Sequence, residues 1–212
     1  MSNQPITQSQ KRFQESLGSL FVPSFEKAQN LCLFLKSSTD IGVIRNGGRN
    51  GAKYAPQSFL SVFKKMTHHP TLSISAFAEV EVSDETLELK NFTDAQSAEA
   101  KLISRAVKNC SPKAICHIGR GHAHIYPLLI DLREKNKPIV VLNIDAHADT
   151  RIDDQDHSGT PFRQFAENYS APFHLFQVGL HPFANSASTL SPLKNGEMRV
   201  LWKNELNDSE KW

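Results

Sequence analysis

The run Asp145-Ala146-His147-Ala148-Asp149 follows directly on an apolar segment at 138–142. Two carboxylates and an imidazole alternate at i, i+2 and i+4. An extended backbone sends residues two apart to the same face, so the spacing predicts that Asp145, His147 and Asp149 point into one small volume. Packing two anions and an imidazole together is costly unless something positive sits between them. A divalent metal is the simplest answer. A second run, Gly119-Arg120-Gly121-His122-Ala123-His124, follows another apolar segment at 113–118. Its glycines allow a tight turn, which would set His122 at the start of the next helix, near the first run. Two imidazoles and two carboxylates make a mixed nitrogen and oxygen set. That set suits manganese, iron, cobalt or zinc rather than a thiolate-bound structural zinc. The competing reading is a polar strand end satisfied by backbone and water.

Other residues say less. The loop Arg45-Asn46-Gly47-Gly48-Arg49-Asn50-Gly51 lacks the lysine and Ser/Thr ending of a nucleotide-binding loop and the dinucleotide spacing. It reads as a tight loop presenting polar groups, with Asn46 and Arg49 as candidate contacts. In Ser158-Gly159-Thr160-Pro161, Thr160 reads as an N-cap and Pro161 as the first helical residue. No nucleophile elbow is present, so covalent hydrolysis has no support. His124 reads as a surface residue or an outer neighbour of the site, and His117 as a satisfied group inside a strand. His68 and His69 read as solvated, and His157, His174 and His181 are uninformative.

The elements that must position these residues alternate short apolar strands with amphipathic helices. Strands are expected at 40–44, 71–77, 113–118, 139–144, 173–178 and 198–202, and helices at 56–65, 95–110, 122–135 and 162–168. Residues 1–30 read as a loose polar arm ending in an amphipathic segment. The alternation implies a mainly parallel α/β sheet, whose ligands bind at the carboxyl ends of strands, where both histidine-bearing runs fall.

The chain has 212 residues, 39% hydrophobic and 22% charged, with a formal net charge of +2. That length supports one sizeable core, expected over 31–212. The charge is not gathered into runs, so nucleic acid and membrane surfaces are not expected partners. Three cysteines without close spacing fit a reducing compartment. The first thirteen residues lack an apolar signal segment, so a cytoplasmic location is expected.

These motifs resemble those of the arginase, or ureohydrolase, superfamily of dinuclear manganese hydrolases. Asp145 to Asp149 matches its Asp-Ala-His-x-Asp signature, and Gly119 to His122 matches its glycine-rich histidine signature with Arg120 replacing a glycine. The resemblance covers roughly residues 40–190 and is strongest to the formimidoylglutamases. It implies a three-layer α/β fold with helices on both faces of a mainly parallel sheet. It implies two manganese ions per subunit, with His122 and Asp149 on one, His147 on the other and Asp145 bridging. Asp149 would also orient the attacking hydroxide. Arg151 would hold a substrate carboxylate, with Ser158 and Thr160 adding neutral hydrogen bonds. The implied reaction splits N-formimidoyl-L-glutamate into L-glutamate and formamide, a step of histidine degradation. Phe162 stands where arginases carry a histidine, which argues against guanidino hydrolysis, although agmatinase- or arginase-type chemistry is the neighbouring alternative. The family's later Ser-x-Asp-x-Asp signature has no counterpart here. Its last strands lie mid-sheet, so the resemblance also implies open strand edges, possible self-association, and one metal or none in an inactive relative lacking those strands.

Overall fold

The computed structural model describes residues 7–23, 28–69, 71–119, 121–133, 137–170 and 172–206. In chain order these form α1 (Gln8–Gln14), β1 (Leu31–Lys36), α2 (Ile41–Arg45), α3 (Ala55–Phe63), β2 (Ala76–Glu81), α4 (Glu85–Lys90) and α5 (Phe92–Cys110). There follow β3 (Ala114–Ile118), α6 (Ile125–Arg133), β4 (Ile139–Ile144), α7 (Pro161–Asn168), β5 (Phe173–Leu180) and β6 (Gly196–Trp202). All strand pairing between these elements is parallel. The strands divide into two three-stranded sheets, ordered β2-β1-β3 and β4-β5-β6.

The first strand differs from the sequence-based expectation. Leu31-Cys32-Leu33-Phe34-Leu35 is buried throughout, as a central parallel strand covered on both faces must be. The segment 40–44 is instead a short helix, because the Asp40 carbonyl accepts from the Val43 and Ile44 amides. The second strand begins at Ala76 rather than 71, set by its register Leu31↔Ala76. The expected loose arm is partly docked: Leu17 is buried, and Phe21 stacks on Phe34 and Phe77. The rest of that arm, 1–6 and 24–27, lies outside the described residues.

Helices cover both faces of β2-β1-β3. Ile103, Ala106 and Cys110 of α5 pack with Leu31, Leu33 and Leu35. Leu60 and Phe63 of α3 pack on the opposite face with Cys32 and Phe34. The β4-β5-β6 sheet is covered on one face, where α6 and α7 place Leu129, Phe162, Phe165 and Ala166 against Ile139, Phe173 and Leu175. On its other face Val140, Leu142 and Ile144 remain exposed. No described helix is long and apolar enough to cross a membrane.

Candidate metal centre

Both histidine-bearing runs lie past the carboxyl ends of strands, but they converge by turning rather than by alternating along a strand. β4 ends at Ile144 and residues 145–147 bend. Asp149 adopts φ 51°, left-handed backbone that aspartate tolerates better than most residues. The turn swings Asp149 back toward Asp145 and lets His147 lean outward.

His122, Asp145 and Asp149 bring one donor atom each within 4.8 Å of one another. His122 opens a 3₁₀ turn, His122–His124, before α6, where a helix from residue 122 was expected. Its Nδ1 lies 3.6 Å from Asp145 Oδ2 and against Asp149 Oδ2. Asp149 Oδ2 is buried, and His122 is the partner facing it. One imidazole nitrogen and two carboxylate oxygens facing one point are what a shared cation would satisfy. The Asp149 carboxylate raises the His122 pKa most, burial opposes the rise, and Asp145 adds to it. His147 stands apart from this trio. Its Nδ1 lies 3.3 Å from Asp145 Oδ1 and its side chain is 55% exposed. Three donors thus fit one metal, and at this cavity Asp145 and His147 begin a second position beside it.

The ligand turn is pinned by neutral amides that sequence reasoning did not single out. Asp145 Oδ1 accepts from the His147 amide at 2.8 Å. Asn143 donates to the His147 carbonyl and to Gln177 Oε1. Gln177 donates to the Ala148 carbonyl at 2.7 Å. Asn185 accepts from the Ala148 amide and donates to the Ala146 carbonyl. The available signal was a polar residue inside each of two apolar strands, Asn143 in β4 and Gln177 in β5, which are register partners.

A cavity of about 170 Å³ opens over His122 and Asp149, lined by Asn46, Gly121, His122, His147, Asp149, Arg151 and Ser158. Arg151 donates to Asn46 Oδ1 at 2.7 Å, and Asn46 donates to Ser158 Oγ at 3.1 Å. Arg49 is exposed and does not line the cavity. Thr160 also differs from expectation. It is 4% exposed, and its hydroxyl accepts from the His157 amide and donates to the His157 carbonyl. It stands at the N-cap of α7 without a side-chain capping bond, so it shapes the loop rather than the cavity wall. A larger groove of about 710 Å³ between α5 and α6, which Lys101, Arg105 and Lys108 help to line, contains none of the converging donors.

Gly42 sets how closely the two histidine-side loops approach. A Cβ there would meet Ala123 Cβ at 2.5 Å, and the Gly42 carbonyl accepts from the Ser158 amide. His124, two residues past His122, faces away from the cavity into the interior. It is 5% exposed and pairs with Glu99 at 3.0 Å, so the surface reading of this residue does not hold. His117 is a satisfied interior group, with Ser37 Oγ 2.6 Å from its Nε2. Burial alone would raise the Glu99 pKa. The His124 charge and hydrogen bonds with His117, His124 and Ser37 outweigh burial and hold it at about 2.

Known proteins resemble this chain in sequence and in fold. The arginase family model matches residues 39–211. Formimidoylglutamase of Geobacillus kaustophilus is 30% identical over 185 residues, 84% of this chain and 55% of that protein. The Legionella pneumophila formimidoylglutamase is 29% identical over 187 residues, covering 85% and 56%. The chain therefore spans about half the length of the curated relatives it matches. Among solved structures, formimidoylglutamase from Bacillus subtilis superposes with a TM-score of 0.72 at 14% identity, over 94% of this chain and 61% of that one. Trypanosoma cruzi formiminoglutamase with Mn2+2 gives 0.72 at 21% identity, over 92% and 67%. With its two histidine-bearing runs brought together past the ends of β3 and β4 and the family model matched over most of its length, the chain belongs to the arginase family.

Proposed function

We propose that the chain carries the metal-dependent hydrolase chemistry of formimidoylglutamases: N-formimidoyl-L-glutamate and water give L-glutamate and formamide. The observation that carries this reading is the convergence of His122, Asp145 and Asp149 beneath a wall made by Asn46, Arg151 and Ser158. His122, Asp145 and Asp149 would hold manganese, with His147 completing a second position beside Asp145. When bound, the metal lowers the pKa of water enough to supply hydroxide near neutral pH. Asp149 would accept a hydrogen bond from the attacking hydroxide and hold it toward the formimidoyl carbon. Arg151 offers a planar fork suited to a substrate carboxylate, already aimed by Asn46. Ser158 adds a neutral hydrogen bond beside it.

A second reading is favoured by the position of His147 outside the trio: a relative that binds one metal and does not turn over. Formamide release by the purified chain, with and without manganese, separates the two. Manganese-dependent release with two metals per chain supports the hydrolase. No release above the metal-free control, with one metal per chain by elemental analysis, overturns it in favour of the binder.

A further inference from the structure

A second group of potential ligands lies behind the first. Glu88 of α4, Glu99 of α5 and His124 of the 3₁₀ turn are 5%, 2% and 5% exposed. One donor atom from each lies within 4.8 Å of the other two. His124 Nδ1 sits 3.1 and 3.0 Å from the two Glu99 oxygens. Donors sharing a small divalent ion at about 2.0–2.2 Å lie about 3–3.5 Å apart, so this spacing already matches a coordination edge. His117 Nε2 is 3.6 Å from Glu99 Oε1, and the hydroxyls of Ser37 and Thr39 approach Glu99 and Glu88. The ion pairs of Glu99 run to imidazoles, groups that can give up a proton and ligate, which Lys and Arg would not do here.

We propose that Glu88, Glu99 and His124 form a second, fully interior metal site for a borderline divalent ion such as zinc or cobalt, distinct from the His122 cluster. The donors come from three separate elements, so a bound ion would tie α4 and α5 to the turn that carries His122. The set is two carboxylates and one imidazole, a mix that suits zinc or cobalt better than calcium or magnesium.

The test uses a chain carrying Asp145→Asn and Asp149→Asn, which disables the cavity-side cluster. It is expressed in cobalt-supplemented medium so that the interior site can fill during folding. The proposal expects about one cobalt per chain after dialysis, with visible ligand-field absorption. Adding Glu99→Gln, or Glu88→Gln should the first variant fail to fold, lowers the cobalt content at least about tenfold and removes the absorption. A folded double variant without cobalt overturns the proposal, as does cobalt that survives Glu99→Gln. If the double variant does not fold, Glu99→Gln in the parent chain decides: the metal count falls by about one per chain if the proposal holds and is unchanged if it fails.

Discussion

Asp149 shows how much one residue's backbone can contribute. Its left-handed φ of 51° turns its carboxylate back onto His122, while its carbonyl accepts from the Phe162 amide that opens α7. Residue types alone pointed to Asp145, His147, Asp149 and His122, because carboxylates and imidazoles are rarely placed so densely without a task. The period-two argument for their convergence was wrong, since the chain leaves the strand at Ile144. Nothing in the sequence marks a left-handed aspartate. Asp156, on the loop beside the cavity, illustrates charge at the same scale. Burial raises its pKa most, Arg45 opposes, Glu167 adds to the rise and His157 opposes it. A carboxyl whose folded pKa is raised favours the folded state when protonated, so its contribution weakens as pH rises from the ordinary value, about 4, through the folded one. Asp156→Asn keeps an acceptor for Gln164, which donates to Oδ2 at 2.9 Å, and removes the half-buried charge. The variant should melt slightly higher than the parent at neutral pH, with the difference vanishing near about pH 4. Thermal melts across that range check it, and a lower melting temperature at neutral pH would show that the ionised form is the better-satisfied one.

Among elements, the approach of α2 to the His122 turn decides whether the site assembles. The sequence made 40–44 a strand because the segment is apolar. Glycine at position 42 has a different cause: it permits contact with Ala123 that a side chain would block. The missed β1 was legible in principle, as the densest apolar run in the first fifty residues. It was lost because the preceding polar residues suggested an arm. The helices that were recognised, α3, α5, α6 and α7, have amphipathic stretches long enough to read, and only their ends moved. Gly42→Ala tests the close approach. Forcing a methyl against Ala123 should cost about 1–3 kcal/mol and shift His122 from its partners, weakening manganese binding in a calorimetric titration. Adding Ala123→Gly clears the contact and should restore both stability and affinity. If the single variant matches the parent, the two elements have room to slide and the packing argument fails.

At the scale of the whole molecule, the parallel class was readable from the alternation of strands and helices, but the division into two sheets was not, because it depends on which edges find partners. Among the described residues, β3 pairs with β1 alone and β4 with β5 alone, so each is an edge strand of its sheet. Beside the open edge of β4, Val140, Leu142 and Ile144 are 65%, 61% and 75% exposed. Their register partners on the same face include Phe176 and Val178, both half-buried. An apolar strand face next to unpaired backbone favours association with another chain. The chain is therefore predicted to self-associate as its concentration rises, with this face in the contact. Leu142→Lys places a charge at its centre without touching the packed side, where Ile139 and Val141 meet α6 and α7. Sedimentation velocity should show a concentration-dependent shift for the parent and a monomer for the variant, with circular dichroism unchanged. A parent that stays monomeric across the concentration range would mean that water tolerates this face, and that neither the bare strand nor its open edge drives assembly.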